Sequence, residues 1–184
     1  MTDWDIRYRQ GFFRDEPPHN LVEKFWKLIP GERVVDIAMG RGRDALFLAG
    51  KGFSVTGLEL SGEAIRLVAK AARARDLRLE MVKADSARLP FKKRSFDGVV
   101  VFYFLLREAA PQIEAILRSG GILIYETFLK RQKVVDRNRR AEYLLNDCEL
   151  LQLFPGTETV FYEETVGITE GKEKIAARLV ARKK

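Results

Sequence analysis

At 184 residues, with 46% hydrophobic and 32% charged side chains, the chain has room for one domain with a sizeable core and is too apolar to be a disordered chain. No apolar run approaches the roughly 20 residues of a membrane span. The start, MTDWDIRYRQ, lacks the basic-then-apolar pattern of a leader, and the single Cys148 can form no internal disulfide, so a cytoplasmic protein without a membrane partner is expected. The 33 basic and 26 acidic residues, net +7, admit nucleic acid as a partner, but they are spread along the chain and read rather as a soluble basic surface.

A segment over 1–30, with aromatics and arginines alternating from Trp4 to Arg14, is expected as an N-terminal helix or lid on a core over 31–184, the two forming a single domain. Strands are predicted at Arg33–Ala38, Ser54–Leu58, Arg78–Val82, Gly98–Phe104, Gly121–Glu126, Thr159–Val166 and Lys174–Arg182. The runs VVDIA, GVVVFYF and GILIY are nearly all apolar, as in parallel strands covered on both faces. Between the strands, helices are predicted over 43–51, 62–75 and 111–118. The second shows Ala64, Leu67, Val68, Ala71 and Ala72 on one face behind a Ser61 cap. Cys148, in NDCELL, reads as a helix packing position. The alternation gives an α/β fold, a Rossmann-like doubly wound sheet of seven strands, mostly parallel. It closes on an antiparallel hairpin through TEGKEK.

In such a sheet, ligands bind beyond the carboxyl ends of the strands. The first strand ends in Asp36-Ile37-Ala38-Met39-Gly40-Arg41-Gly42, where the glycines permit a tight turn and close backbone approach before a helix N-terminus. With Ala45, this spacing also satisfies a dinucleotide fingerprint. Asp36 argues otherwise, because a carboxylate beside the turn repels a pyrophosphate and favours a ligand bearing a sulfonium and an ammonium. Arg41 and Arg43 can neutralise a phosphate or meet a carboxylate. Glu59 ends the second strand, 17 residues after Gly42, and suits a ribose diol. Asp85 and Ser86 follow the third strand, where Asp85 can accept from an adenine amine and Ser86 can cap the next turn.

On VVDIAMGRGRDALFLA, VTGLELS, ADSARLPFKKRSFDGVVV, LRSGGILIYETF, FPGTETVFYEE and ARLVARK, the chain resembles the class I S-adenosylmethionine-dependent methyltransferases. The likeness is strongest to the small tellurite-resistance-type bacterial ones. The resemblance implies S-adenosylmethionine as cofactor and a last strand lying antiparallel between the fifth and sixth. It also implies that Asp36, Gly40 and Gly42 hold the methionine portion, Glu59 the ribose, and Leu60 and Asp85, with Ser86 beside them, the adenine. Phe102 would meet the cofactor from the fourth strand. Ala38 stands where many relatives have the first glycine and is expected simply to pack.

Methyl transfer from a sulfonium needs positioning and exclusion of water more than an acid or base. Tyr103 and Arg107 near the end of the fourth strand, Glu126 on the fifth and His19 in EPPHN are the candidates for contact with an acceptor or for proton handling. FYFLLRE lacks the Asn/Asp-Pro-Pro-aromatic motif of nucleobase amine methylation, and no Pro-Cys pair serves pyrimidine carbon. A small-molecule acceptor is therefore favoured over RNA, and both over a nicotinamide oxidoreductase. No cluster has metal-ligand spacing, so no metal is expected. The basic segment from Lys130 is expected to build the acceptor wall and a helix.

Overall fold

The computed structural model describes residues 3–11, 16–169 and 172–184. Helices α1 (Asp3–Arg9) and α2 (Asn20–Phe25) precede strand β1 (Arg33–Ile37). Then come α3 (Arg43–Gly50), β2 (Ser54–Glu59), α4 (Gly62–Ala74), β3 (Leu79–Lys83), β4 (Phe96–Phe102), α5 (Ala110–Ile116) and β5 (Leu117–Phe128). The four-residue α6 (Glu149–Gln152) leads to β6 (Thr157–Thr169) and β7 (Lys172–Lys183). The sheet order is β3-β2-β1-β4-β5-β7-β6, parallel through β5, with β7 antiparallel to both β5 and β6. The expected seven strands, and the last strand's place between fifth and sixth, are both found.

Alternate residues of a strand face opposite sides of its sheet, so the all-apolar inner strands need two cores. Val34, Val100, Ile122 and Val180 pack with Leu21 and Val22 of α2 and Ala45 and Leu48 of α3. Val35, Val99, Val101 and Leu123 pack on the other side with Ile113 and Ile116 of α5 and Leu150 of α6. Each fully buried branched side chain contributes about 1.5–3 kcal/mol. Helix α4 starts at the predicted cap, with Ser61 Oγ accepting from Ala64 N at 3.1 Å. It buries Ala64, Val68 and Ala72, while Leu67 and Ala71 at the margin of the stripe stay half-buried.

Several boundaries differ from the sequence reading for local reasons. β4 stops at Phe102 because Tyr103 turns left-handed, with φ 52°. β5 begins as soon as α5 ends, since Phe96 already pairs with Leu117 before a register shift at Gly98. The segment after β5 forms short 3₁₀ turns at Lys130–Val134 and Ala141–Tyr143, and the helix expected there is α6 at its end. Cys148 is exposed and left-handed just before α6, not a helix packing position. Phe13 and Arg14 of the expected lid, and Glu170 and Gly171 of the hairpin turn, lie outside the described residues. No helix among the described residues is long and apolar enough to cross a membrane.

The sheet is pinned at its other end by buried Asp97 of β4, which accepts from Arg33 N at 3.0 Å and Arg118 Nη1 at 2.9 Å. Asp97→Ala removes the acceptor that joins β1, β4 and β5 and leaves a half-buried amide unpaired. It is expected to lower stability by about 1–3 kcal/mol, read as a fall in the urea midpoint with the slope unchanged.

Candidate active site

The carboxyl ends of β1 to β5 open into one crevice of about 1650 Å³, lined by Asp36, Ala38, Gly40, Glu59, Leu60, Asp85, Ser86 and Phe102 among others. Eight of the nine residues expected at the cofactor thus converge. The ninth, Gly42, packs one step behind, where a β-carbon would stand 2.9 Å from both γ-carbons of Val68 on α4. The turn leaving β1 is left-handed at Ala38 (φ 56°), Gly40 (φ 57°) and Gly42 (φ 69°). Glycine takes this conformation freely, whereas an L-side chain pays about 1–2 kcal/mol. Ala38 therefore does more than pack, because it holds strained backbone at the cavity wall.

Asp36 is buried at the start of this turn, where the Ala45 amide donates to it. Burial, then the neighbouring Asp44 carboxylate, push its carboxyl well above the ordinary range. Glu59 is engaged from three sides. Its Oε2 accepts from Gly40 N at 2.9 Å, and its Oε1 accepts from the amides of Leu60 and Ser61, both at 2.8 Å. A carboxylate offers about four acceptor sites, so one direction is left toward the crevice. Asp85, on the exposed rim, accepts from Ala87 N at 2.9 Å. The cap of that turn is thus Asp85 and not Ser86, which is buried in the wall.

Helix α1 covers this half of the crevice. Asp5 Oδ1 accepts from Ser61 Oγ at 2.6 Å and Glu63 N at 3.1 Å, placing a negative charge at the N-terminus of α4. Tyr8 follows on the same helix, buried, with its hydroxyl against Gly40, and its phenol is pushed up by burial and by Glu59. The sequence reading passed over Tyr8, whose three-residue spacing from Asp5 on a helix was the available signal.

The four residues expected on the acceptor side separate. His19 stacks on Phe102, with centroids 3.7 Å apart. Its backbone amide donates to Asp44 Oδ1 at 2.8 Å, and Nδ1 lies 2.5 Å from Asp44 Oδ2. Arg43 donates to Nε2, so the proton sits on Nδ1 and no lone pair remains to act as a base. Burial lowers the His19 pKa, keeping the ring neutral. Arg43 also pairs with Glu16, so the Glu16–His19 loop is fastened to the start of α3.

Tyr103 lines the crevice, its ring 4.6 Å from Phe128 and under Lys174 Nζ at 4.8 Å. Its hydroxyl donates to Glu126 Oε1 at 2.5 Å, and Arg178 Nε donates to Oε2 at 3.0 Å. Glu126 is buried behind Tyr103 and is not among the described lining residues. Burial, reinforced by Glu126, pushes the Tyr103 phenol far up, so it stays protonated. Arg107 is outside the lining too, spent on Glu149 and on the carbonyls of Glu142 and Leu144. Among the described residues, no group of His, Cys, Asp and Glu could hold a metal ion.

Residues 34–121 match the family described as a methyltransferase domain. These residues run from β1 into β5, just under half of the chain, and over that stretch it is similar to a methyltransferase domain. It is 29% identical over 157 residues to a demethylmenaquinone methyltransferase of Clavibacter sepedonicus, covering 72% of this chain and 63% of that one. It is also 26% identical over 147 residues to a tRNA (uracil(54)-C(5))-methyltransferase of Pyrococcus abyssi, covering 77% of this chain and 34% of that one. The chain thus spans between a third and two thirds of the length of these curated relatives. The crystal structure of TehB from Haemophilus influenzae superposes with a TM-score of 0.81 at 18% identity, over 97% of this chain and 66% of that one, which is a likeness of fold.

The donor set fits the cofactor of this fold, S-adenosylmethionine. Asp36, Glu59 and Asp85 follow three successive strands on one cavity, while Arg43 of the lining is held by Glu16 and His19. Ala38→Gly relieves the left-handed strain in that wall, offset by the larger entropy that glycine loses on folding. A gain of about 0.5–1 kcal/mol is expected, visible as a melting temperature about 1–4 °C higher; a lower one would place the alanine methyl in a favourable packing contact.

Proposed function

We propose that this chain transfers a methyl group from S-adenosylmethionine to a small-molecule acceptor in the cytoplasm. The observation that carries the reading is the meeting of Asp36, Glu59 and Asp85 around the left-handed turn in a single cavity. Asp36 takes the ammonium of the methionine portion beside Gly40, the remaining lone pair of Glu59 takes the ribose, and Leu60, Asp85 and Ser86 border the adenine. When bound, the cofactor supplies a methyl group already activated by its sulfonium.

The chain's own residues then have to orient the acceptor and keep water away. Tyr103 does the first. Its hydroxyl is locked by Glu126 and Arg178, and its ring, with Phe128, forms a fixed flat wall on the β4–β5 side of the crevice. His19, lying over Phe102, closes the side between the two halves. With Tyr103 protonated and both His19 nitrogens engaged, an acceptor that ionises by itself or through solvent suits this wall.

RNA is a second reading, favoured by the relatives that carry uracil methyltransferase names. Against it stands the lining, where no cysteine occurs among the described residues.

Asp36 supplies the test. With its pKa raised, the free protein holds a proton there at pH values where an ordinary carboxyl of pKa about 4 has lost it. An ammonium-bearing ligand favours the ionised form, so binding of S-adenosylhomocysteine should release a proton, and affinity should rise with pH until Asp36 is already ionised. Calorimetry in two buffers of different ionisation enthalpy reads that proton. Asp36→Asn should abolish the release and weaken binding by about ten- to a hundredfold, the value of a hydrogen bond to a charged group. Unchanged affinity would assign Asp36 to the fold.

A further inference from the structure

Large apolar side chains that stay in water are unremarkable singly, but here three of them line one crevice and a fourth is next to one of the three in sequence. Trp4 (41% exposed) and Leu60 (36%) line one side of the crevice mouth. On the other side, Val135 (41%) lines the mouth, and Val134 beside it is 83% exposed. Val134 ends the 3₁₀ turn after β5, so its side chain projects from a short, tightly bent loop.

Unspent charges of both signs border the crevice: Asp85 and Glu173 line it without an ion pair among the described residues, and cations remain in the segment after β5. In the basic segment after β5, Arg131 is tied to Asp147 and Glu164, Arg140 to Glu142, and Arg139 Nε lies 3.0 Å from Asp136 in an ion pair without hydrogen-bond alignment. Lys133 and Arg137, flanking the two valines, are exposed and make no ion pair among the described residues. The same is true of Arg75 on the opposite side. The mouth is therefore apolar at its tips with unpaired cations just behind them.

We propose that the crevice mouth docks on the surface of an anionic lipid bilayer, with Val134, Val135 and Trp4 entering the headgroup and acyl boundary and Lys133, Arg137 and Arg75 meeting lipid phosphates. The contact is peripheral and needs no membrane-crossing helix. An RNA surface is the less suitable partner. It rewards cations and stacking rings, and protein–nucleic acid interfaces are polar, so projecting valines gain nothing there. Insertion at a bilayer interface rewards both features, apolar area and Lys/Arg attraction to anionic headgroups. The proposal rests on the reading of this crevice as the acceptor's entrance and makes that acceptor lipid-borne.

Sedimentation of the full chain with vesicles of phosphatidylglycerol and phosphatidylcholine in equal parts tests this, with pure phosphatidylcholine vesicles and a short single-stranded RNA as the other arms. Binding to the anionic vesicles is expected, weakened about fivefold or more by Val134→Asp and by the double change Lys133→Glu/Arg137→Glu. Both variants should keep the wild-type melting temperature, because these side chains are exposed. No binding of wild type at low salt, equal binding by both variants, or binding of RNA alone would overturn the proposal. S-adenosylhomocysteine titrated into the same preparations keeps the two readings apart. Vesicle binding without nucleoside binding would sink the cofactor reading and leave the docking surface, and nucleoside binding without vesicle binding would do the reverse.

Discussion

The Glu59 carboxylate holds the two halves of the nucleoside side of the crevice together. It accepts from Gly40 in the turn after β1 and from Leu60 and Ser61 at the head of α4. Both loops would otherwise present unpaired amides to the cavity, and each such buried group costs about 1–3 kcal/mol. Ser61, fixed in this way, caps α4 and donates to Asp5, so the covering helix α1 is docked through the same cluster. The left-handed turn, the α4 cap and the seat of Tyr8 all follow from where Glu59 points.

A cluster of carboxylates in a half-buried cavity is electrostatically costly unless something positive shares it. Arg7, Arg41, Arg75 and Lys174 share the lining, while Arg43 is drawn to Glu16 and His19 and burial beside Asp44 raises the Asp36 pKa. A phosphate-bearing ligand would add to the repulsion, whereas a sulfonium and an ammonium relieve it. Selection of the ligand thus rests on where the carboxylates stand, with Asp36 buried at the turn and Glu59 at the end of β2.

Much of this was legible in the sequence because it depends on backbone geometry and strand ends. Apolar runs required a two-faced parallel sheet, and the residues closing each strand had to reach its carboxyl edge. What could not be read was which partner each polar group would choose. His19, in a proline-rich loop, could be either a base or a structural residue, and Arg43 and Asp44 occupy both its nitrogens. Arg107 looked like a crevice residue because it follows β4 closely, but the left-handed Tyr103 redirects the chain and Arg107 pairs with Glu149. Ala38 was the hardest to foresee, since its side chain suggests packing and only its dihedral reveals strain.

The central claim is that the carboxylates around the turn select a cationic, phosphate-free nucleoside. Titrating the wild-type chain separately with S-adenosylhomocysteine and with NADH, under identical conditions, decides it most directly. Saturable binding of S-adenosylhomocysteine with none of NADH is the result predicted by the placement of Asp36, Glu59 and Asp85. Binding of NADH with none of S-adenosylhomocysteine would contradict it.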